Sequence, residues 1–240
     1  MNDGVVGKRR WSADRSARLA SVSRSPPCYS ETMAAVLNLK PAPAARIDQR
    51  VRLHGVSWQD FEALLAMRGD NGAVRVSYLE GELELMAPSI DHENLKTRLA
   101  RLLEAYAEER GIDLEGFGSW TLKAEALARG AEADECYLVG WREPMPPVPD
   151  IAIEVIWTSG GLDKLAIYRG LGVPEVWLWQ EGGLSFYLLD EGGYTVGPRS
   201  TRLPDLDPEL FTRCMAEPST QTAAVRAYRQ ALRAAAPGGA

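Results

Sequence analysis

The twenty residues DIAIEVIWTSGGLDKLAIYR, Asp150 to Arg169, constrain this chain more than any other stretch. Between Pro149 and the Gly160-Gly161 pair, the near-continuous apolar run fits a buried strand. Leu162, Leu165 and Ala166 then fall at the spacing of an amphipathic helix. Yet Asp150 opens this strand and Glu154 interrupts it. Mid-strand acids are depleted, and an ionised carboxylate buried without a partner is very costly. A strand that belongs in a core needs a reason to keep them.

The flanking residues supply the architecture. Ser57 three residues before Asp60, followed by Phe61, Leu64 and Leu65 and stopped by Gly69, predicts a short capped helix. Ordered structure is expected to begin near Val51. Val74, Val76 and Tyr78 alternate with polar residues, the chain turns at Glu80-Gly81, and Leu83 and Leu85 alternate again, which is a β-hairpin. In it Glu82 and Glu84 share a face, the expected solvated one. From Ser89 or Asp91, Leu95, Leu99, Leu102, Leu103 and Tyr106 predict a helix that ends at Gly111. A Gly-rich extended piece and the short strand ADECYLVG lead to a proline cluster and then to the acid-bearing strand. After the next helix, ending at Gly170 or Gly172, PEVWLWQ, LSFYLLD and YTVGP form a meander of strands. Two helices follow, around Pro208 to Met215 and Gln221 to Ala235. Trp177 and Trp179 alternate with Val176 and Leu178, consistent with a sheet buried on both faces; a base-stacking platform is the other reading. The pattern predicts the α/β class, with a mixed central sheet flanked by helices, an N-terminal hairpin and C-terminal helices. One domain over residues 47–216 is expected, followed by a helix and flexible tail over 217–240.

Charge sets the first 46 residues apart. They hold eight Lys and Arg against three Asp and Glu, while the whole chain carries −6. A Ser-, Arg-, Ala- and Pro-rich stretch without periodicity reads as a disordered basic extension, with Met33 as an alternative start. No apolar run approaches a membrane span and no secretory signal is seen, so a cytoplasmic protein is expected. Cys28, Cys136 and Cys214 lack the spacing of a disulfide framework or a zinc site, and two histidines exclude a multi-histidine metal site. Any metal must sit on carboxylates, and oxygen ligation suits magnesium, manganese or calcium.

Such a site is available. Residues two apart on a strand share a face, so Asp150, Ala152, Glu154 and Ile156 point one way and Ile151, Ile153 and Val155 the other. Asp134 heads the preceding strand. If the two strands are neighbours, Asp134 and Glu154 converge, and two buried carboxylates repel unless one is protonated or a divalent cation lies between them. Lys164, one or two turns into the start of the next helix, would lean in to stabilise a phosphorane-like transition state or hold the attacking water. Asp, Glu and Lys complete the set for metal-assisted phosphodiester hydrolysis. Each also has a plain reading: Asp150 as a strand start, Glu154 as an edge-facing solvated acid, Asp134 and Lys164 as surface residues. His92 reads more readily as a capping or packing residue than as a catalyst, and Glu80 as a turn residue. Lys123 and Arg129 are candidate phosphate contacts.

The blocks YLEGELELMAPSIDHENL, AEADECYLV and PDIAIEVIWTSGGLDKLAIYRGLGVPEVWLW together resemble the Uma-two family of restriction-type nucleases, a branch of the PD-(D/E)XK superfamily, from about Ser57 to Met215. The resemblance implies a restriction-endonuclease-like core, magnesium (or manganese) on acidic residues, and DNA as substrate. Asp134 then matches the motif aspartate and Glu154 the acid of the D/E-x-K strand; both are metal ligands in that family's scheme. Two residues after Glu154 stands Ile156, not lysine, and the resemblance makes Lys164 the replacement from the following helix. Asp150 matches a recurring acid, a second ligand or an aid to strand geometry. Glu80 matches the acidic turn position and Tyr168 a recurring helix tyrosine assigned to packing. Two functions follow: a magnesium-dependent endodeoxyribonuclease, which as a homodimer would assemble a cleft, or a nuclease fold kept as a nucleic-acid- or protein-binding module. The missing lysine and the acidic body favour the second; the intact Asp–Glu–Lys set favours the first.

Overall fold

A computed structural model describes residues 46–69, 72–158 and 160–235. The basic extension assigned to residues 1–46 lies outside them except for Arg46, as does Cys28. In chain order the elements are β1 (Gln49–His54), α1 (Trp58–Arg68), β2 (Arg75–Leu79), β3 (Glu82–Ala87), α2 (Ile90–Arg110), β4 (Leu114–Gly116), β5 (Thr121–Ala124), a 3-10 turn (Glu125–Leu127), β6 (Arg129–Glu132), β7 (Glu135–Val139) and β8 (Ile151–Ile156). α3 (Lys164–Leu171), β9 (Glu175–Gln180), β10 (Gly183–Asp190), β11 (Gly193–Gly197), α4 (Pro208–Ala216) and α5 (Gln221–Ala234) complete the chain.

The strands form two sheets, an antiparallel one ordered β1-β3-β2-β6-β5 and a mixed one ordered β11-β10-β9-β8-β7-β4, in which only the β8/β9 pair is parallel. α3 is the crossover that this parallel pair requires. Ile151, Ile153 and Val155 of β8 join Trp177 and Trp179 of β9 in a core closed by α2, α4 and α5. The opposite face, with Ala152, Val176 and Leu178, packs under Ile167 and Tyr168 of α3 and against Leu122 and Ala131 of the first sheet. The tryptophans are thus buried framework. α5 belongs to the same body, because Tyr228 and Leu232 enter the main core and Arg229 and Arg233 pair with Glu109 of α2.

Local chemistry explains the boundaries. Ser57 and Asp60 form a reciprocal capping box on α1, and Ser89 caps α2, which ends on Gly111 in the left-handed region. Glu80 and Gly81 both have positive φ, 49° and 95°, the two-residue hairpin turn whose twist suits the strands. Two strands have no counterpart in the sequence reading. β1 precedes the expected start at Val51 and runs against the usual pattern: Val51 and Leu53 face outward, while Arg50 and Arg52 turn in to donate to the carbonyls of Thr158 and Gly160. β6 is short and centred on Gly130, where a Cβ would lie 2.7 Å from the Phe61 ring. Gly130→Ala is therefore expected to destabilise the protein by about 1–3 kcal/mol through overpacking. Urea unfolding checks this; an unchanged midpoint would show that the Phe61 ring yields freely.

Candidate active site

The chain crosses from one sheet to the other between β6, which ends at Glu132, and β7, which begins at Glu135. Asp134 sits at that seam. β7 pairs antiparallel with β8, Glu135 opposite Ile153, so Asp134 comes alongside Glu154. Its Oδ2 accepts the Val155 N–H at 2.8 Å. Arg75 Nε stands 3.9 Å from Oδ1, and Oδ1, though buried, accepts no hydrogen bond.

Glu154 faces the same side as Ala152 and Ile156, among apolar neighbours, and is 5 % exposed. Oε1 accepts from Lys164 Nζ at 3.0 Å and from the Tyr168 hydroxyl in a short hydrogen bond, and Lys164 also donates to the Glu132 carbonyl at 3.1 Å. Lys164 is the first residue of α3, not one or two turns in, because Leu162 is a buried plug in the preceding loop and Asp163 caps the helix through Ala166 N. Strand register sets Asp134 opposite Glu154, and the acid in the strand is held by a lysine and a tyrosine of the helix that follows.

The electrostatics separate the two acids. Burial works against ionisation of Asp134, but His92, the Val155 N–H and Lys164 outweigh it and hold its pKa below the usual carboxylate value. Burial and the Asp134 charge push Glu154 up, against Lys164 and Tyr168. One acid is ionised and its neighbour resists a second negative charge, the condition that a nearby cation relieves.

Three features of this centre depart from the sequence reading. His92 is fully buried between two carboxylates, with Nδ1 3.2 Å from Asp48 and Nε2 3.0 Å from Asp134 Oδ2. The second contact is an ion pair. Although burial lowers the His92 pKa, the two carboxylates raise it past its ordinary value. Asp48, the hub, also accepts from Ser89 N at 2.9 Å and from Thr158 Oγ1 at 3.2 Å. Tyr168, assigned to packing, bonds Glu154. Glu84, assigned to the solvated face, is buried, because the β8–α3 loop folds over β3 and its carboxylate takes the Leu162 N–H at 3.1 Å. Glu82 stays half-exposed beside His54 and Arg52.

Asp150 and Glu80 are not brought to this centre. Asp150 lies just before the far end of β8, where it accepts the Val139 N–H at 2.9 Å and pairs with Arg142 and Arg202. Of its two expected roles, the contacts are those of strand geometry. Glu80 is exposed on the hairpin turn and pairs with Arg129 at 3.1 Å. Arg129 and Lys123, the phosphate-contact candidates, are engaged by Glu80 and Glu62.

Beside the acids, Glu135 has its pKa pushed up to about 7 by burial, against the pull of Lys96. An acid that holds its proton more tightly when folded costs stability as pH rises from its unfolded value, near 4.5, through 7, after which the loss is complete. Glu135→Gln is expected to flatten that slope and to stabilise the protein by about 1–2 kcal/mol at pH 8. Urea midpoints at pH 5 and pH 8 test it, and equal effects at both would contradict it.

The donor set suits a hard divalent cation. Asp134 and Glu154 offer oxygen alone, and the unpartnered Asp134 Oδ1 is a buried valence that such an ion would fill. Among the described residues no group of three or more His, Cys, Asp or Glu side chains gathers as a complete ligand shell. Two carboxylates with water in the other positions is the usual manner of magnesium. A cleft of about 300 Å3, lined by Glu154, Lys164, Arg50 and the Gly160-Gly161 backbone, opens beside Glu154.

A mixed sheet whose one parallel pair is joined by a crossover helix, with helices behind it, has the architecture of the restriction-endonuclease-like class. The Uma2 family model, described as "Putative restriction endonuclease", matches residues 58–215, and the chain belongs to that family. No curated protein matches the sequence. No helix among the described residues is long and apolar enough to cross a membrane.

Proposed function

We propose that this chain is a divalent-metal-dependent endonuclease that hydrolyses phosphodiester bonds in DNA, with magnesium or manganese at Asp134 and Glu154. One observation carries the reading: strand register sets Asp134, at the seam before β7, opposite Glu154 of β8, with Lys164 Nζ 3.0 Å from Glu154, while Asp134 Oδ1 stays without a hydrogen bond. When bound, the cation supplies Lewis acidity and lowers the pKa of water. The residues do the rest. His92 and the Val155 N–H fix Asp134 through Oδ2, which leaves Oδ1 for the ion. Lys164 and Tyr168 both bond Glu154 Oε1, which leaves its other oxygen clear of them. Lys164, anchored on the Glu132 carbonyl, holds positive charge where the phosphate gains negative charge.

The test is cleavage of plasmid and oligonucleotide DNA by the purified protein in magnesium or manganese, in EDTA, and by Asp134→Asn. Cleavage confined to the wild type with metal supports the reading. In the structure, a binding module without catalysis is favoured by the His92 and Arg75 cations that already face Asp134 in the protein alone. It predicts oligonucleotide binding without cleavage, unchanged in Asp134→Asn.

A further inference from the structure

The acids are nearly sealed from solvent, Asp134 at 1 % and Glu154 at 5 % exposure, and Glu154 and Lys164 form part of the wall of the 300 Å3 cleft. The rest of the lining is not that of a phosphate groove alone. Leu162, Leu165 and Leu178 make an apolar side, and Arg50 and Gln180 add a guanidinium and an amide. The acid Glu84 in the same wall is already occupied by the Leu162 N–H and by Arg52. Asp163 is occupied in capping α3.

Resting on the nuclease reading, we infer that this cleft takes one unpaired nucleotide, and that the substrate is single-stranded DNA in preference to intact duplex. A duplex carries its phosphates on a stiff convex surface, its bases stacked inward. To set a phosphodiester against Glu154 and Lys164 at this depth, the strand must enter the cleft. The volume is at the lower end for ligand sites, with room for one nucleotide and none for a base pair. The leucine side suits the flat face of a base or the sugar, Gln180 can meet a base edge, and Lys164 can meet the phosphate, with Arg50, held by the Thr158 carbonyl and Asp48, adding positive charge beside it. Lifting a nucleotide out of a duplex costs its pairing and stacking, a penalty that a single strand does not bear.

The experiment separates binding from chemistry. Fluorescence anisotropy in EDTA compares the full-length protein with a labelled single strand and with the same sequence as duplex; cleavage of both is followed in manganese. The expected result is at least tenfold tighter binding and faster cleavage of the single strand. Leu165→Trp, which fills the cleft from its apolar side, should weaken single-strand binding at least tenfold, while manganese binding stays within twofold. Gln180→Trp, at an exposed position on the same wall, repeats the test should the first variant fail to fold. Equal or tighter binding of duplex, absence of binding to either DNA, or single-strand binding untouched by a folded cleft-filling variant would each overturn the inference. If the single strand binds in EDTA and the cleft variants abolish this, but nothing is cleaved in any metal, the cleft stands and the nuclease reading falls.

Discussion

Lys164→Met is expected to lower the single-turnover rate of DNA cleavage by about a hundred- to a thousandfold, the usual cost of losing one charge-stabilising group aimed at a transition state. The stem of Lys164 packs near Tyr168, its ammonium 5.9 Å from the ring centroid, and methionine keeps most of that contact. Folding should survive. Two effects combine: the phosphate loses its cation, and Glu154, already pushed up by burial, loses its nearest positive neighbour. Lys164→Arg should restore little, because a planar fork does not reproduce a point charge shared between Glu154 and the Glu132 carbonyl. Quenched-flow or gel assays under single-turnover conditions decide it. A methionine variant within threefold of wild type would leave Ile156 without any replacement lysine.

The second large effect concerns stability. His92→Ala is expected to cost about 3–5 kcal/mol, the range for removing one partner of a buried ion pair, because Asp48 and Asp134 would both stay behind in the protein interior. The damage should spread along Asp48, which also braces the start of α2 through Ser89 and the β8–α3 loop through Thr158. Urea unfolding followed by tryptophan fluorescence measures the loss. A cost below 1 kcal/mol would mean that Asp48 and Asp134 find other partners and that the histidine is packing after all.

Elements whose signals are local were legible in the sequence. The caps at Ser57 and Ser89, the Glu80-Gly81 turn, the Gly111 stop and the alternation of β8 each depend on a few neighbouring residues, and each lies where the pattern puts it. β1 was not, because its inward residues are arginines that answer loop carbonyls 108 positions away. The site divides in the same way. The register that sets Asp134 opposite Glu154 follows from pairing consecutive strands, and the Lys164–Glu154 contact from the Gly-Gly corner. The His92 bridge has no local trace, since its Asp48 partner lies 44 residues distant. Nor does composition alone tell one buried acid from another. Glu175 opens the equally apolar β9 and is fully buried, yet its carboxylate is consumed by Trp177 Nε1 at 2.6 Å, the Thr201 N–H and hydroxyl, and the Arg202 N–H. What sets Asp134 apart is an oxygen left over, a property of three-dimensional neighbours rather than of residue type.

Manganese binding, read by electron paramagnetic resonance or calorimetry on the full chain, bears most directly on that leftover oxygen. Wild-type protein should bind one ion per chain, and Asp134→Asn and Glu154→Gln, each folded by circular dichroism, should each weaken binding at least tenfold. Wild-type protein that binds no manganese, or folded variants that bind it as tightly as wild type, would contradict the account.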